Sequence, residues 1–114
     1  MRRALVIGSI LLCGLFSGAC ARNPALRPLR AGVAAADAEN WDEAVRYWTR
    51  ALALDPDSAA VHNNLAVAYE RQGSWSEAAK EYEAAVRLDP RNALIRGNYE
   101  TFKARLEAGR RRRP

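Results

Sequence analysis

Apolar or small side chains fall at Trp41, Ala44, Val45, Trp48, Ala51 and Leu52, and again at Trp75, Ala78, Ala79, Tyr82, Ala85 and Val86. In both segments the offsets are 0, 3, 4, 7, 10 and 11, the spacing that gathers residues onto one stripe of an α-helix. The segments also match each other. A shift of 34 residues lays Trp41 to Pro56 onto Trp75 to Pro90 with seven of sixteen positions identical, where unrelated sequence gives about one, so the chain carries an internal repeat.

The helix boundaries are written twice as well. Asn40 with Glu43, and Ser74 with Glu77, have the N-cap and N3 spacing that satisfies free amides at a helix start. Leu-Asp-Pro at 54–56 and 88–90 stops both helices, because proline turns the preceding residue away from helical geometry. After Pro56, with Asp57 or Ser58 as cap, a helix carries Val61, Leu65, Ala66 and Tyr69 on one face and ends near Gly73, a residue suited to positive φ. The matching earlier helix, about Leu29 to Glu39, is alanine-rich and has Glu39 where Gly73 stands later. After Asn92, a single helix with Ile95, Tyr99, Phe102 and Leu106 on one face is expected to cover the second pair.

These residues resemble the tetratricopeptide repeat family. The second copy, Ala59 to Asn92, matches through Leu65, Ala66, Tyr69, Gly73, Ala78, Tyr82, Ala85 and Pro90. The first, Ala25 to Ser58, matches through Gly32, Ala44, Trp48, Ala51 and Pro56, with Pro28 and Ala35 where bulky residues are usual. The resemblance implies an all-α fold, an antiparallel helix-pair solenoid of two repeats plus a C-terminal capping helix. It also implies a groove lined by the first helix of each pair, which binds a protein or peptide partner. Asn63, Val67, Glu70 and Arg71 are the groove residues expected, and their spacing by 4, 3 and 1 places them on one flank. Asn64 matches a position that in some relatives helps clamp a terminal carboxylate. The rest of that clamp is missing, with Leu29, Val33 and Leu94 at its other positions, so Asn64 is expected to bond within the fold. Two pairs and a cap are fewer than the three repeats usually needed, so partner binding or self-association is expected to raise thermal stability.

Residues 1–19 read as an export signal: Arg2 and Arg3, an uncharged stretch from Ala4 to Phe16, then Ser17, Gly18 and Ala19. The residues before Cys20 resemble a bacterial lipobox, with Ser17 where leucine is usual, which implies lipidation at Cys20. The alternative is an uncleaved transmembrane anchor, since Ala4 to Ala21 are 18 uncharged residues, near the lower limit for a span. Residues 20–28 read as the lipidated cysteine and an extended tether, 29–107 as the repeat domain, and 108–114 as a solvated arginine-rich tail. Ala21, in place of aspartate after the cysteine, implies by resemblance the outer membrane, with the domain facing the periplasm. Cys13 lies inside the signal, so no internal disulfide is expected.

Charge narrows the function. The chain has 18 basic and 13 acidic residues; without Arg2, Arg3 and Arg110 to Arg113 the remaining 12 basic residues nearly balance the acids. No nucleic-acid face is expected on the body. His62 is the only histidine and reads as a packing residue. Asp42 with Arg46, and Glu83 with Arg87, are spaced as surface i,i+4 pairs. No catalytic or metal motif occurs, so no enzyme activity, metal or cofactor is expected. The sequence thus points to a binding scaffold for a pilus, secretion or envelope-assembly partner. The rival readings are an adaptor on a transmembrane anchor and a non-catalytic accessory subunit of an enzyme complex.

Overall fold

The computed structural model describes residues 23–114, so the expected signal and Cys20 lie outside the described residues. Five helices follow in order: α1 (Leu26–Asp37), α2 (Trp41–Leu54), α3 (Ala59–Arg71), α4 (Trp75–Leu88) and α5 (Ala93–Arg111). They form two antiparallel pairs, α1 with α2 and α3 with α4, closed by α5 against α4 and, more lightly, α3. No described helix is long and apolar enough to cross a membrane.

α1 starts earlier than the proline suggests. Pro28 is its third residue, in the first turn, where amides have no intrahelical acceptor and a missing N–H loses nothing. Asn23 sets the start: its Oδ1 accepts from the Ala25 amide at 3.0 Å and its carbonyl from the Leu26 amide at 2.9 Å. The extended tether therefore ends before Leu26 rather than at Pro28. At the other terminus α5 runs to Arg111, so part of the expected arginine tail is helical; no proline interrupts it.

The caps follow side-chain reach. Asn40 Oδ1 accepts from the Glu43 amide at 3.3 Å, Ser58 Oγ from Val61 at 3.4 Å, and Asn92 Oδ1 from Leu94 and Ile95 at 3.1 and 3.2 Å. Ser74 makes no side-chain cap, contrary to the sequence pattern. Its backbone (φ −84°, ψ 70°) nearly superposes on that of Asn40 (φ −86°, ψ 78°), so the shorter serine side chain fails where the longer asparagine reaches.

The α1–α2 and α3–α4 turns are closed by the same pair of backbone bonds. Glu39 and Asn40 donate to Ala36 and Ala35 at 2.9 and 2.8 Å, and Gly73 and Ser74 to Glu70 and Tyr69 at 3.1 and 2.8 Å. The turn requires positive φ: 75° at Gly73, and 57° at Glu39, where a side chain occupies the left-handed region.

The core lies along the predicted stripes. Ala44, Trp48 and Ala51 of α2 pack with Val61, Leu65 and Ala68 of α3; Ala66, Ala78, Tyr82 and Phe102 form a second cluster under α5. Gly32 lets α1 approach α2, since a Cβ there would lie 2.4 Å from Trp48 Nε1. That indole nitrogen donates to the Leu29 carbonyl at 3.2 Å. The expected i,i+4 pairs do not form. Arg46 pairs with Glu43 one residue nearer, Asp42 accepts from Gln72 at 2.6 Å, and Glu83 accepts from the Tyr99 hydroxyl at 3.3 Å. Tertiary partners hold these carboxylates in place of the weak helical neighbours.

Candidate functional site

A pocket of about 210 Å³ opens where α1 faces α3. Val33 and Asp37 of α1 form one wall, Asn64 and Val67 of α3 the other, and Trp41 and Trp48 of α2 complete it. Trp48 is the floor, buried and locked by its bond to Leu29. Val33 stands 41% exposed beside the two tryptophans, an apolar lining suited to meeting a partner's apolar side chain. Arg71 lies at the edge, its Cζ 5.5 Å from the Trp41 ring centroid, within cation–π range. Asp37 is exposed and brings a carboxylate to the rim.

Of the four residues expected in the groove, Val67 lines the pocket and Arg71 borders it through Trp41. Asn63 and Glu70 lie elsewhere. Asn63 is 7% exposed, and its Oδ1 accepts from Asn98 Nδ2 at 3.0 Å, joining α3 to α5. Glu70 accepts from Arg105 Nη1 at 2.6 Å and from the Tyr82 hydroxyl at 3.0 Å. The two neighbouring asparagines thus exchange their expected roles: Asn63 serves the fold and Asn64 lines the pocket. One residue of helix rotation, about 100°, separates these fates.

Reasoning from α3 alone missed Val33, Asp37 and Trp41. The 34-residue shift carries Val33 onto Val67 and Asp37 onto Arg71, so the repeat itself held the signal for the α1 wall.

The tyrosines with shifted titration and the histidine lie outside the pocket lining. Burial, then the hydrogen bond and charge of Glu70, push the Tyr82 hydroxyl far above the usual tyrosine range. Burial, then the charges of Glu81 and Glu77, raise Tyr69. His62 Nδ1 lies 2.6 Å from Glu81 Oε2 and Nε2 lies 2.8 Å from the Pro56 carbonyl, tying α3 to α4 and to the preceding turn. Among the described residues no group of three or more histidine, cysteine or carboxylate side chains is placed to hold a metal.

The comparisons with known proteins agree with this architecture. The second repeat domain of human RPAP3, solved in complex with the HSP70 peptide SGPTIEEVD, is 23% identical, with a TM-score of 0.67 over 72% of this chain and 68% of that one. The C-terminal TPR-containing domain of a Plasmodium falciparum protein described as FK506-binding is 24% identical, with a TM-score of 0.68 over 75% of this chain and 56% of that one. No curated protein sequence matches significantly. A sequence model of the tetratricopeptide repeat matches residues 29–93, more than half of the chain and all of both helix pairs but the first turn of α1. With the duplicated helix pairs, their shared turn chemistry and the α1–α3 pocket, that match makes the chain a member of the tetratricopeptide repeat family.

Proposed function

We propose that this protein is a binding scaffold rather than an enzyme, and that it grips a segment of a partner protein in the pocket between α1 and α3. Domains of this family serve as protein-interaction modules. The observation that carries the reading is the exposed Val33 beside a rigid indole floor. A volume of about 210 Å³ suits one aliphatic side chain, and Asp37 at the rim favours a lysine or arginine next to it. An acidic tail of the kind bound by the human relative suits this chain poorly, because Leu29, Val33 and Leu94 occupy the positions of the carboxylate clamp.

The scaffold is held at the cell envelope through lipid on Cys20, at the outer membrane and facing the periplasm. The lipid rests on the residues before Cys20, and the choice of membrane on Ala21 after it. Attachment raises the local concentration of the domain near membrane-bound partners, which offsets the small contact area of a two-repeat groove.

Val33→Glu tests the pocket. Val33 is exposed enough for the fold to survive, while a buried, unpaired carboxylate would oppose binding. Loss of partner capture with an unchanged circular dichroism spectrum is expected; undiminished capture by the folded variant would place binding on another face. For the anchor, palmitate labelling that survives Cys20→Ala would rule out lipid at that cysteine.

A further inference from the structure

The open end of the domain, where α1 starts and α2 stops, has a chemistry of its own. A furrow of about 680 Å³ runs between the two helices, lined among others by Arg27, Pro28, Ala31, Tyr47, Arg50 and Leu54. A second hollow beside it holds Leu26, Arg27 and Arg30. Leu26 is 40% and Leu54 53% exposed. Neither hollow includes a carboxylate, and the nearest acids in sequence, Asp55 and Asp57, line neither. Exposed leucines among three arginines form a surface for an anionic, partly apolar neighbour.

A second copy stacked end to end would meet this edge with a helix of mixed charge, since α5 exposes Glu100 and Glu107 as well as Arg96 and Arg111, so charge does not select it as the neighbour.

The chain itself favours a membrane. Cys20 lies only three positions before Asn23, which sits in the second hollow, and three residue steps span at most about 11 Å when extended. That is close to one Debye length at physiological salt. If Cys20 carries lipid, this edge is held where arginines feel an anionic surface.

We propose that the Arg27–Arg30–Arg50 edge rests on the phosphates of anionic lipid headgroups, with Leu26 and Leu54 at the interface. The inference rests on the lipid-anchor reading above. It gives the domain an orientation. α1 stands away from the bilayer, and Asp37, eleven residues along it, lies about 16 Å farther out, so the α1–α3 pocket opens toward the compartment.

The test uses the full chain, processed and acylated in cells, then reconstituted in phosphatidylethanolamine–phosphatidylglycerol vesicles and, for comparison, in phosphatidylcholine. A spin label is placed at Leu54→Cys or, at the opposite end, Ala38→Cys. Collision with nickel chelated to lipid headgroups is read for each, and co-sedimentation reads the anchor separately. The expected result on anionic vesicles is a several-fold higher nickel-lipid collision rate at position 54 than at 38. That contrast should shrink on phosphatidylcholine and disappear in the Arg27→Ser/Arg30→Ser/Arg50→Ser variant. The corresponding triple lysine variant keeps the charge and should retain it, which separates lost charge from lost folding. A chain that sediments while both labels collide equally overturns the orientation and leaves the anchor standing. Shielding of position 54 from both lipid-bound and aqueous nickel would mean that protein covers the edge, and would overturn the lipid assignment. Failure to sediment overturns the anchor and this inference with it.

Discussion

The same substitution, glycine to alanine in a helix, should have opposite signs at two places in this domain. Alanine normally gains about 0.5–1 kcal/mol over glycine within a helix. At Gly97 in α5 a new Cβ meets nothing within 4 Å, so Gly97→Ala should keep that gain. At Gly32 the Cβ would lie 2.4, 2.5 and 2.8 Å from Trp48 Nε1, Cδ1 and Cε2. Trp48 is 3% exposed, and its nitrogen is bonded to the Leu29 carbonyl of the same helix, so the ring cannot swing into solvent. Forcing it aside costs about 1–3 kcal/mol of overpacking and about 0.5–1.5 kcal/mol for the hydrogen bond. Offset by the propensity gain, Gly32→Ala should destabilise by about 0.5–4 kcal/mol. In a domain of this size each kcal/mol moves the melting temperature by about 4–8 °C, so circular dichroism melts of the two variants should depart from the parent in opposite directions. A Gly32→Ala melt at or above the parent temperature would refute the tight α1–α2 contact.

Three further outcomes follow from particular contacts. Glu39→Gly should stabilise by about 1 kcal/mol in urea titration, because the left-handed φ of 57° disfavours a side chain; a loss would mean the Glu39 side chain makes a compensating contact. Asn98→Ala should cost about 1–3 kcal/mol by leaving buried Asn63 Oδ1 unpaired, yet leave partner capture intact, since neither residue lines the pocket; impaired capture by the folded variant would return Asn63 to the groove. Stability should fall as pH rises above about 10, where unfolded tyrosines ionise. Tyr82, with its folded value raised, stays protonated, so the native state binds more protons than the unfolded one and the slope is negative. Tyr82→Phe should flatten that slope in urea titrations over this range; an unchanged slope would assign it to Tyr69 and to Tyr99, which burial and then Glu83 also raise.

The parts of the fold legible in the sequence are those fixed by local periodicity. The helix stripes, the Leu-Asp-Pro stops and the Gly73 turn depend on spacing within one segment, and the 34-residue repeat wrote most of them twice. Features set by small rotations or by reach were not legible. Asn63 and Asn64 differ by one helical step, which sends one to Asn98 and the other to the pocket. Ser74 and Asn40 share a backbone conformation, and only side-chain length separates a missing cap from a formed one. Pro28 reads as a break until Asn23 is seen to begin the helix ahead of it. The partners of the carboxylates were least legible, because Asp42, Glu70 and Glu83 find theirs 12 to 35 residues away, which helical spacing does not contain. On the α1 side of the site, Val33 was available from the repeat shift, but its exposure beside Trp41 belongs to the packing of two helix pairs.

The central claim is that the α1–α3 pocket is the surface that holds a partner. The most direct measurement places a photoreactive amino acid at Val33, in the pocket wall, and separately at Lys80, exposed on α4, then irradiates intact cells. A discrete adduct from position 33, absent from position 80 and lost when Asp37→Arg reverses the rim charge, is the result predicted. An adduct from position 80 alone, or one at 33 that is indifferent to the rim charge, would contradict it.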